Sequence, residues 1–273
     1  METIILTADS GSTKTDWLLQ QGHECLARLT TQGINPFMLS QTEIESILRN
    51  ELLTNAAFVQ PTEVYFYGAG CRGEQCHVVE AALRHVMPQL TSVVVGSDLL
   101  GAAKALFGNA DGVACILGTG SNSGLFLEGK LVQNVSPLGY ILGDEGSGAV
   151  LGRRLLGDVL KQQLPAELCQ SFANTYHLSG DDIIQRVYKQ PFANRFLASF
   201  APFLAKHRTH PAIQTLLMDE FTRFFQRNVA TYARPDLQVS FVGSIAYYFQ
   251  HELQMAAQAT GFQLGRVMKC PLE

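Results

Sequence analysis

Thr7-Ala8-Asp9-Ser10-Gly11-Ser12-Thr13-Lys14-Thr15 decides how this chain reads. It follows the apolar, β-branched run Thr3-Ile4-Ile5-Leu6, the pattern of a buried strand. After it comes Asp16-Trp17-Leu18-Leu19-Gln20, a second strand. The turn between them is small, hydroxyl-rich and holds one Gly, one Lys and one acid. Glycine lets backbone approach a ligand, and successive amides in a tight turn form an anion-binding nest. Lys14 adds positive charge. Asp9, at the end of its strand, suits a hydrated cation such as Mg2+, which prefers carboxylate, phosphate and retained water. An ordinary hairpin turn with a solvent-facing Asp is the competing reading. No G-x-x-x-x-G-K-[ST] occurs in the chain. If Asp9 to Thr15 holds phosphate, it does so between antiparallel strands.

Working outward, residues 3–8, 15–20 and 24–30 read as three strands. Ser40-Gln41-Thr42-Glu43 is a capping box, and Ile44, Ile47, Leu48 and Leu52 form the stripe of the helix it starts. A strand at 63–67, a helix at 74–87, a strand at 91–95 and an Ala/Leu-rich helix to Phe107 complete a β-β-β-α-β-α-β-α series. The series begins again at 111, with strands at 111–117, 123–128 and 131–135 and a helix from 146 to 162. Helical periodicity over 165–233 breaks near Ser179-Gly180, Gln190-Pro191 and His210-Pro211. A strand at 238–242, a helix at 246–259 and a strand at 265–269 close the second series. In both halves a small-residue loop joins the first strand to the second, Asp9 to Thr13 and Gly118 to Ser121. Two such loops at equivalent places in a repeat predict two jaws on one phosphorylated ligand.

The 273 residues carry a formal net charge of −4, with 47% hydrophobic and 16% charged side chains. That composition suits a globular protein with a substantial core and argues against a nucleic-acid partner. Apolar runs fall far short of the ~20 residues of a membrane helix, so no membrane partner is expected. No signal peptide is read at the N-terminus, and cytoplasmic residence is the default expectation. Six cysteines show no C-x-x-C, and Cys71-x4-Cys76-His77 lacks a second ligand pair. Reduced, mostly buried thiols are expected.

Taken together, these motifs resemble the actin-like ATPase superfamily of sugar kinases, actin and Hsp70. Within it they are most similar to the N-acetylglucosamine kinase and BadF/BadG/BcrA/BcrD ATPase family. Asp9-Ser10-Gly11-Ser12-Thr13-Lys14 looks like the first phosphate motif, and Leu117-Gly118-Thr119-Gly120-Ser121-Asn122 like the second. Gly143-Asp144-Glu145-Gly146-Ser147 looks like the G-D-E-G-S signature, and Gly243-Ser244 like the adenosine loop. Ser97-Asp98 before an Ala-rich helix looks like the catalytic acid. The likeness runs from residue 9 to 244. One departure is that the family usually continues past a P-[LI]-x-G motif into a closing helix, whereas this sequence stops at Pro271-Leu272-Glu273.

The resemblance implies an α/β fold of two ribonuclease H-like domains, 1–107 and 108–273. Each is a mixed five-stranded sheet with helices on both faces, and a cleft lies between them. It implies a cytoplasmic, ATP- and Mg2+-dependent hexosamine kinase, with N-acetylglucosamine phosphorylated at O6 and a homodimer left open. Gly11, Ser12, Thr13, Lys14, Gly118, Thr119, Gly120, Gly243 and Ser244 would bind nucleotide, and Asp9 the metal. Asp98 would be general base, although an Asp opening a helix is also an ordinary N-cap. Asn35, Ser121, Asn122 and Asp144 would read the sugar. Two alternatives stand beside this: an ATPase that activates a 2-hydroxyacyl-CoA dehydratase-type enzyme through an iron–sulfur cluster, and a non-catalytic amino-sugar-binding module.

Overall fold

The computed structural model describes residues 3–11 and 13–273. By contact the chain divides into two compact units, 1–105 with 271–273, and 106–270.

In the first unit, β1 (Ile4–Ser10), β2 (Lys14–Gln21) and β3 (Glu24–Gln32) form an antiparallel meander. Helix α1 (Gln41–Ile47) starts at the expected capping box, with the Ser40 side chain on the Glu43 amide and the Glu43 carboxylate on the Ser40 amide. It runs on into a π turn at Leu48–Leu52. Strand β4 (Glu63–Gly68), α2 (Gln75–Val86), β5 (Ser92–Ser97) and α3 (Asp98–Phe107) follow. The sheet order is β3-β2-β1-β4-β5, with β4 and β5 parallel to β1. Side chains of β1 and β4 alternate between faces, as strand geometry requires. Leu6, Ala8, Val64 and Phe66 join the core formed with α1 and α2. Trp17 belongs to the same core, with its ring 5.8 Å from that of Phe66 and its indole N–H on the Thr31 hydroxyl. Tyr67 points to the opposite face, where α3 passes so closely that a Cβ on Gly101 would lie 2.6 Å from the Tyr67 Cβ.

The second unit repeats that order. Strands β6 (Gly112–Leu117), β7 (Ser121–Leu127) and β8 (Lys130–Val135) form the meander. The helices α4 (Gly139–Leu142), α5 (Gly148–Leu160), α6 (Ala166–Tyr176), α7 (Gly180–Tyr188), α8 (Ala193–Ala198), α9 (Ala201–Lys206) and α10 (Pro211–Phe224) come next. Then come β9 (Gln238–Val242), α11 (Ser244–Tyr248), α12 (Gln250–Ala259) and β10 (Gln263–Met268). The sheet order is β10-β9-β6-β7-β8, the first sheet's order with the same sense of each neighbour. Its core is aromatic, with Phe221, Phe224, Phe225 and Phe241 fully buried.

Both sheets are therefore mixed and five-stranded, as expected. Several boundaries differ. The stretch between the expected strand at 131–135 and the expected helix from 146 contains the short α4, and the single helix expected over 246–259 is two helices. Pro271–Glu273 group with the first unit, where the Arg28 guanidinium donates to the Leu272 carbonyl at 2.7 Å.

Candidate functional site

The head of the first sheet gathers the acids. Asp9 lies opposite Asp16 on β2 and beside Tyr67 on β4. One residue on, Ser10 pairs with Gly68, which pairs with Ser97, so Asp98 leaves the sheet at the same carboxyl end. Ligands collect at that end in open α/β sheets. Burial pushes the Asp9 carboxyl up to about 7, helped by the charges of Asp98 and Asp16 and opposed by Lys14. Burial also raises Asp98, against the Leu99 amide, which donates to its Oδ1 at 2.8 Å, and against the charge of Arg72.

The turn after β1 is closed by the Gly11 amide on the Lys14 carbonyl at 3.0 Å. The exposed Lys14 ammonium sits 2.6 Å from Asp16. Thr13 accepts the Gly33 amide at 3.1 Å. Ser12 lies outside the described residues. Two hydroxyls to which the sequence analysis gave no role of their own organise the neighbouring loop. Ser10 and Thr15, both fully buried, stand 2.6 Å apart and accept the Ile34 amide at 3.0 and 3.2 Å. This brings Asn35 beside the sheet head. Its Oδ1 accepts the Phe37 amide at 3.0 Å, and its side chain lies against Gly70. Gly70 has φ +81°, and a Cβ there would sit 2.2 Å from Asn35 Oδ1, so only glycine fits.

The second loop is pinned from behind. Gly118 donates to the Gly120 carbonyl at 3.0 Å, while the Gly118 and Thr119 carbonyls accept the Gly148 and Ala149 amides at 2.8 and 3.1 Å. The first amides of α5 are thus consumed by the loop. The Thr119 and Gly120 amides have no protein acceptor among the described residues. Asp144 accepts the Ser121 amide on Oδ1 at 3.2 Å from a left-handed backbone, φ +55°. Burial raises its carboxyl to about 6, with the Ser121 amide opposing and the Glu145 charge adding. Glu145 is held by Arg227 and Asn228. Asn122 Oδ1 takes two donors, the Ser123 amide at 3.0 Å and Asn134 Nδ2 at 2.9 Å. Gly243, at φ +125°, crosses the end of β6, where a Cβ would lie 2.2 Å from the Leu117 carbonyl oxygen. Ser244, exposed, opens α11.

The structure therefore gathers Asp9, Gly11, Thr13, Lys14, Asn35 and Asp98 at one sheet head. It gathers Gly118, Thr119, Gly120, Ser121, Asp144, Gly243 and Ser244 at the other, with Asn122 one step into β7. Cys71 belongs to the core, and burial pushes its thiol up to about 12, far from a metal-binding thiolate. Among the described residues no three His, Cys, Asp or Glu side chains are grouped to hold a metal ion. Among the same residues, no helix is long and apolar enough to cross a membrane.

No family model matches the chain. A curated relative, the glucosamine kinase of Vibrio cholerae serotype O1, is 26% identical over 191 residues. That match covers 68% of this chain and 64% of the relative, so the chain spans less than two thirds of that protein's length. The ROK hexokinase of Thermus thermophilus, at 14% identity and TM-score 0.56 over 98% of this chain and 93% of its own, shares the fold. A Porphyromonas gingivalis structure, which carries an inferred assignment as an N-acetylglucosamine kinase, superposes at TM-score 0.96. It is 47% identical, over 98% of this chain and 95% of its own. Identity at that level across nearly the whole of both chains places this protein in the same family, the N-acetylglucosamine kinase-like members of the actin-like ATPase fold.

Proposed function

We propose that the chain is an ATP- and Mg2+-dependent amino-sugar kinase that phosphorylates O6, with N-acetylglucosamine as its acceptor. The observation that carries this reading is Asp98. It is a carboxylate at the carboxyl end of a parallel strand, released from capping duty and close enough to Asp9 for their charges to couple. The family, and the activities for which the Vibrio and Porphyromonas relatives are named, support the same reaction class.

The residues fit the metal. Asp9 is held up to about 7 by burial and two neighbouring carboxylates, a concentration of negative charge that a divalent cation relieves. Mg2+ takes one or two carboxylates and keeps water and phosphate oxygens, so it needs no cage of three side chains. When bound, it supplies neutralisation of the β- and γ-phosphate charge.

The protein's own groups do the rest. Asp98 accepts the O6 proton as O6 attacks the γ-phosphorus. The bond from that phosphorus to the β–γ bridging oxygen breaks, and ADP leaves with the electron pair. In the first unit, Gly11, Thr13 and Lys14 are the phosphate-side residues of this reading, and Ser12 keeps its role from the sequence alone; in the second, Gly118 and the Thr119 and Gly120 amides serve phosphate, and Gly243-Ser244 serves the adenosine. Asp144 and Asn35 accept from sugar hydroxyls. Asn122 has its Oδ1 already filled, which leaves Nδ2 to donate. Ser121 is tied to Asp144 through its amide and offers its hydroxyl.

An ADP-release panel tests this, over glucosamine, N-acetylglucosamine, N-acetylmannosamine and N-acetylmuramic acid, each with and without Mg2+. The reading expects Mg2+-dependent release with N-acetylglucosamine. Release indifferent to every sugar would overturn it.

A further inference from the structure

Arg72 stands just beyond β4, in a turn held by the Cys71 amide on the Gly68 carbonyl at 3.1 Å and the Arg72 amide on the Gly70 carbonyl at 3.0 Å. Because Gly68 pairs with Ser97, this turn and Asp98 leave neighbouring parallel strands at the same end. The turn also packs on Asn35 through Gly70. Arg72 is exposed, and among the described residues its guanidinium makes no ion pair. By contrast Arg84, Arg154, Arg208, Arg223, Arg227 and Arg234 are all paired. Its charge nonetheless reaches Asp98, where it opposes the rise that burial imposes on that carboxyl. Of the lysines near this sheet head, Lys14 pairs with Asp16 at 2.6 Å and Lys104 donates to the Tyr67 hydroxyl at 3.1 Å.

We propose that Arg72 is a catalytic residue that binds the transferring phosphoryl group, donating to its equatorial oxygens while O6 attacks. The assignment rests on the kinase reading above. The groups nearest a general base are the hydroxyl it deprotonates and the phosphorus that hydroxyl attacks. The phosphoryl group spreads its charge over three equatorial oxygens in the transition state. A guanidinium stays protonated beside a carboxylate and presents a planar fork that matches such oxygens. An arginine serving only to orient Asp98 would be locked to it, and Arg72 is not. An arginine reading a substituent at C2 or C3 of the sugar would sit across the ring from O6, away from the base.

The test compares Arg72→Gln, Arg72→Lys and Arg72→Ala with the wild-type protein. Losing one preorganised donor to the transition state costs roughly 10²–10³ in kcat, so Arg72→Gln should fall by about that factor with KM for the sugar within about threefold. Arg72→Lys should fall between, and free guanidinium should partly restore Arg72→Ala. A second readout needs no turnover. Calorimetric titration with ADP and Mg2+, with and without aluminium fluoride, should show wild type tightening on the fluoroaluminate and Arg72→Gln not, while both bind ADP alike. Equal tightening in the two proteins, or an Arg72→Gln kcat within about threefold of wild type, overturns the assignment. A wild-type protein that tightens through Arg72 but phosphorylates no amino sugar would instead remove the sugar-kinase reading and leave Arg72 as a phosphoryl ligand.

Discussion

The Ser97 hydroxyl accepts the Leu100 amide at 3.2 Å, so Ser97 caps α3 and Asp98 is the helix's first residue. Two duties that sequence alone could assign to one acid are thereby divided between neighbours. Asp98 still takes the Leu99 amide on Oδ1. That bond helps orient the carboxylate without making it the cap.

Separate substitutions should therefore separate stability from chemistry. Ser97→Ala removes a cap and should cost about 1 kcal/mol of stability while keeping turnover. Asp98→Asn should keep its melting temperature within a few degrees and lose about 10²–10⁴ in kcat, the usual cost of removing a general base. Thermal melts and ADP-release rates on the two variants check this. Near wild-type turnover in Asp98→Asn would remove the base assignment.

Asp144 should trade stability for binding. Its folded carboxyl is raised to about 6, above the ordinary aspartate value, so the folded state holds the proton more tightly than the unfolded chain does. This group's contribution is fully present below the unfolded value and is lost as pH rises through about 6. Asn keeps the acceptor for the Ser121 amide, tolerates the left-handed backbone and carries no charge. Asp144→Asn should therefore be more stable than wild type at pH 8, by on the order of 1–3 kcal/mol, and the gain should vanish near pH 4. Its sugar affinity should fall at both pH values. Melting curves across pH and sugar titrations measure the two effects.

Gly120 is required for room rather than for backbone conformation. Its φ is outside the left-handed region, and a Cβ there would lie 3.1 Å from Asp144 Oδ2. Gly120→Val should push on Asp144, cost about 1–3 kcal/mol, and weaken nucleotide binding far more than it weakens the fold. Gly129→Val makes an informative control. Gly129 has φ +76° with open space around its Cβ position, so the variant bears backbone strain of about 1–3 kcal/mol and touches no ligand loop. Calorimetry with ATP and Mg2+ should find the Gly129 variant near wild type and the Gly120 variant weak.

Gly243 is a different case, because both space and conformation forbid a side chain. Gly243→Ala would drive a Cβ into the Leu117 carbonyl at φ +125°, and should lose more than about 3 kcal/mol or fail to fold. A chemical-denaturation curve reads this directly. A stable Gly243→Ala with weakened nucleotide affinity would show that the loop can move away from β6.

The doubled strand order was legible because each central strand is an apolar run bounded by small residues, and the capping box and glycine turns punctuate it. What escaped were features set by tertiary packing. The period over 246–259 is unbroken, yet the helix divides at Phe249, which is 1% exposed, with its ring 6.1 Å from that of Phe221. The link between Asp144 and Ser121 depends on a left-handed residue 23 positions away, which no local pattern announces. The Ser10–Thr15 hydroxyl pair looked like phosphate-loop chemistry and instead anchors Ile34. Arg72 had a sequence signal, a charged residue just past a strand and a Gly-Ala-Gly turn, but its nearness to Asp98 appears only once β4 and β5 pair.

The most direct test of the central claim is the identity of the product. The protein should be incubated with ATP, Mg2+ and N-acetylglucosamine and followed by phosphorus NMR with proton coupling. The account predicts one new monoester resonance split by the two protons on C6, growing in equal measure with ADP and abolished in Asp98→Asn. ADP accompanied by inorganic phosphate, with no sugar phosphate, would contradict it.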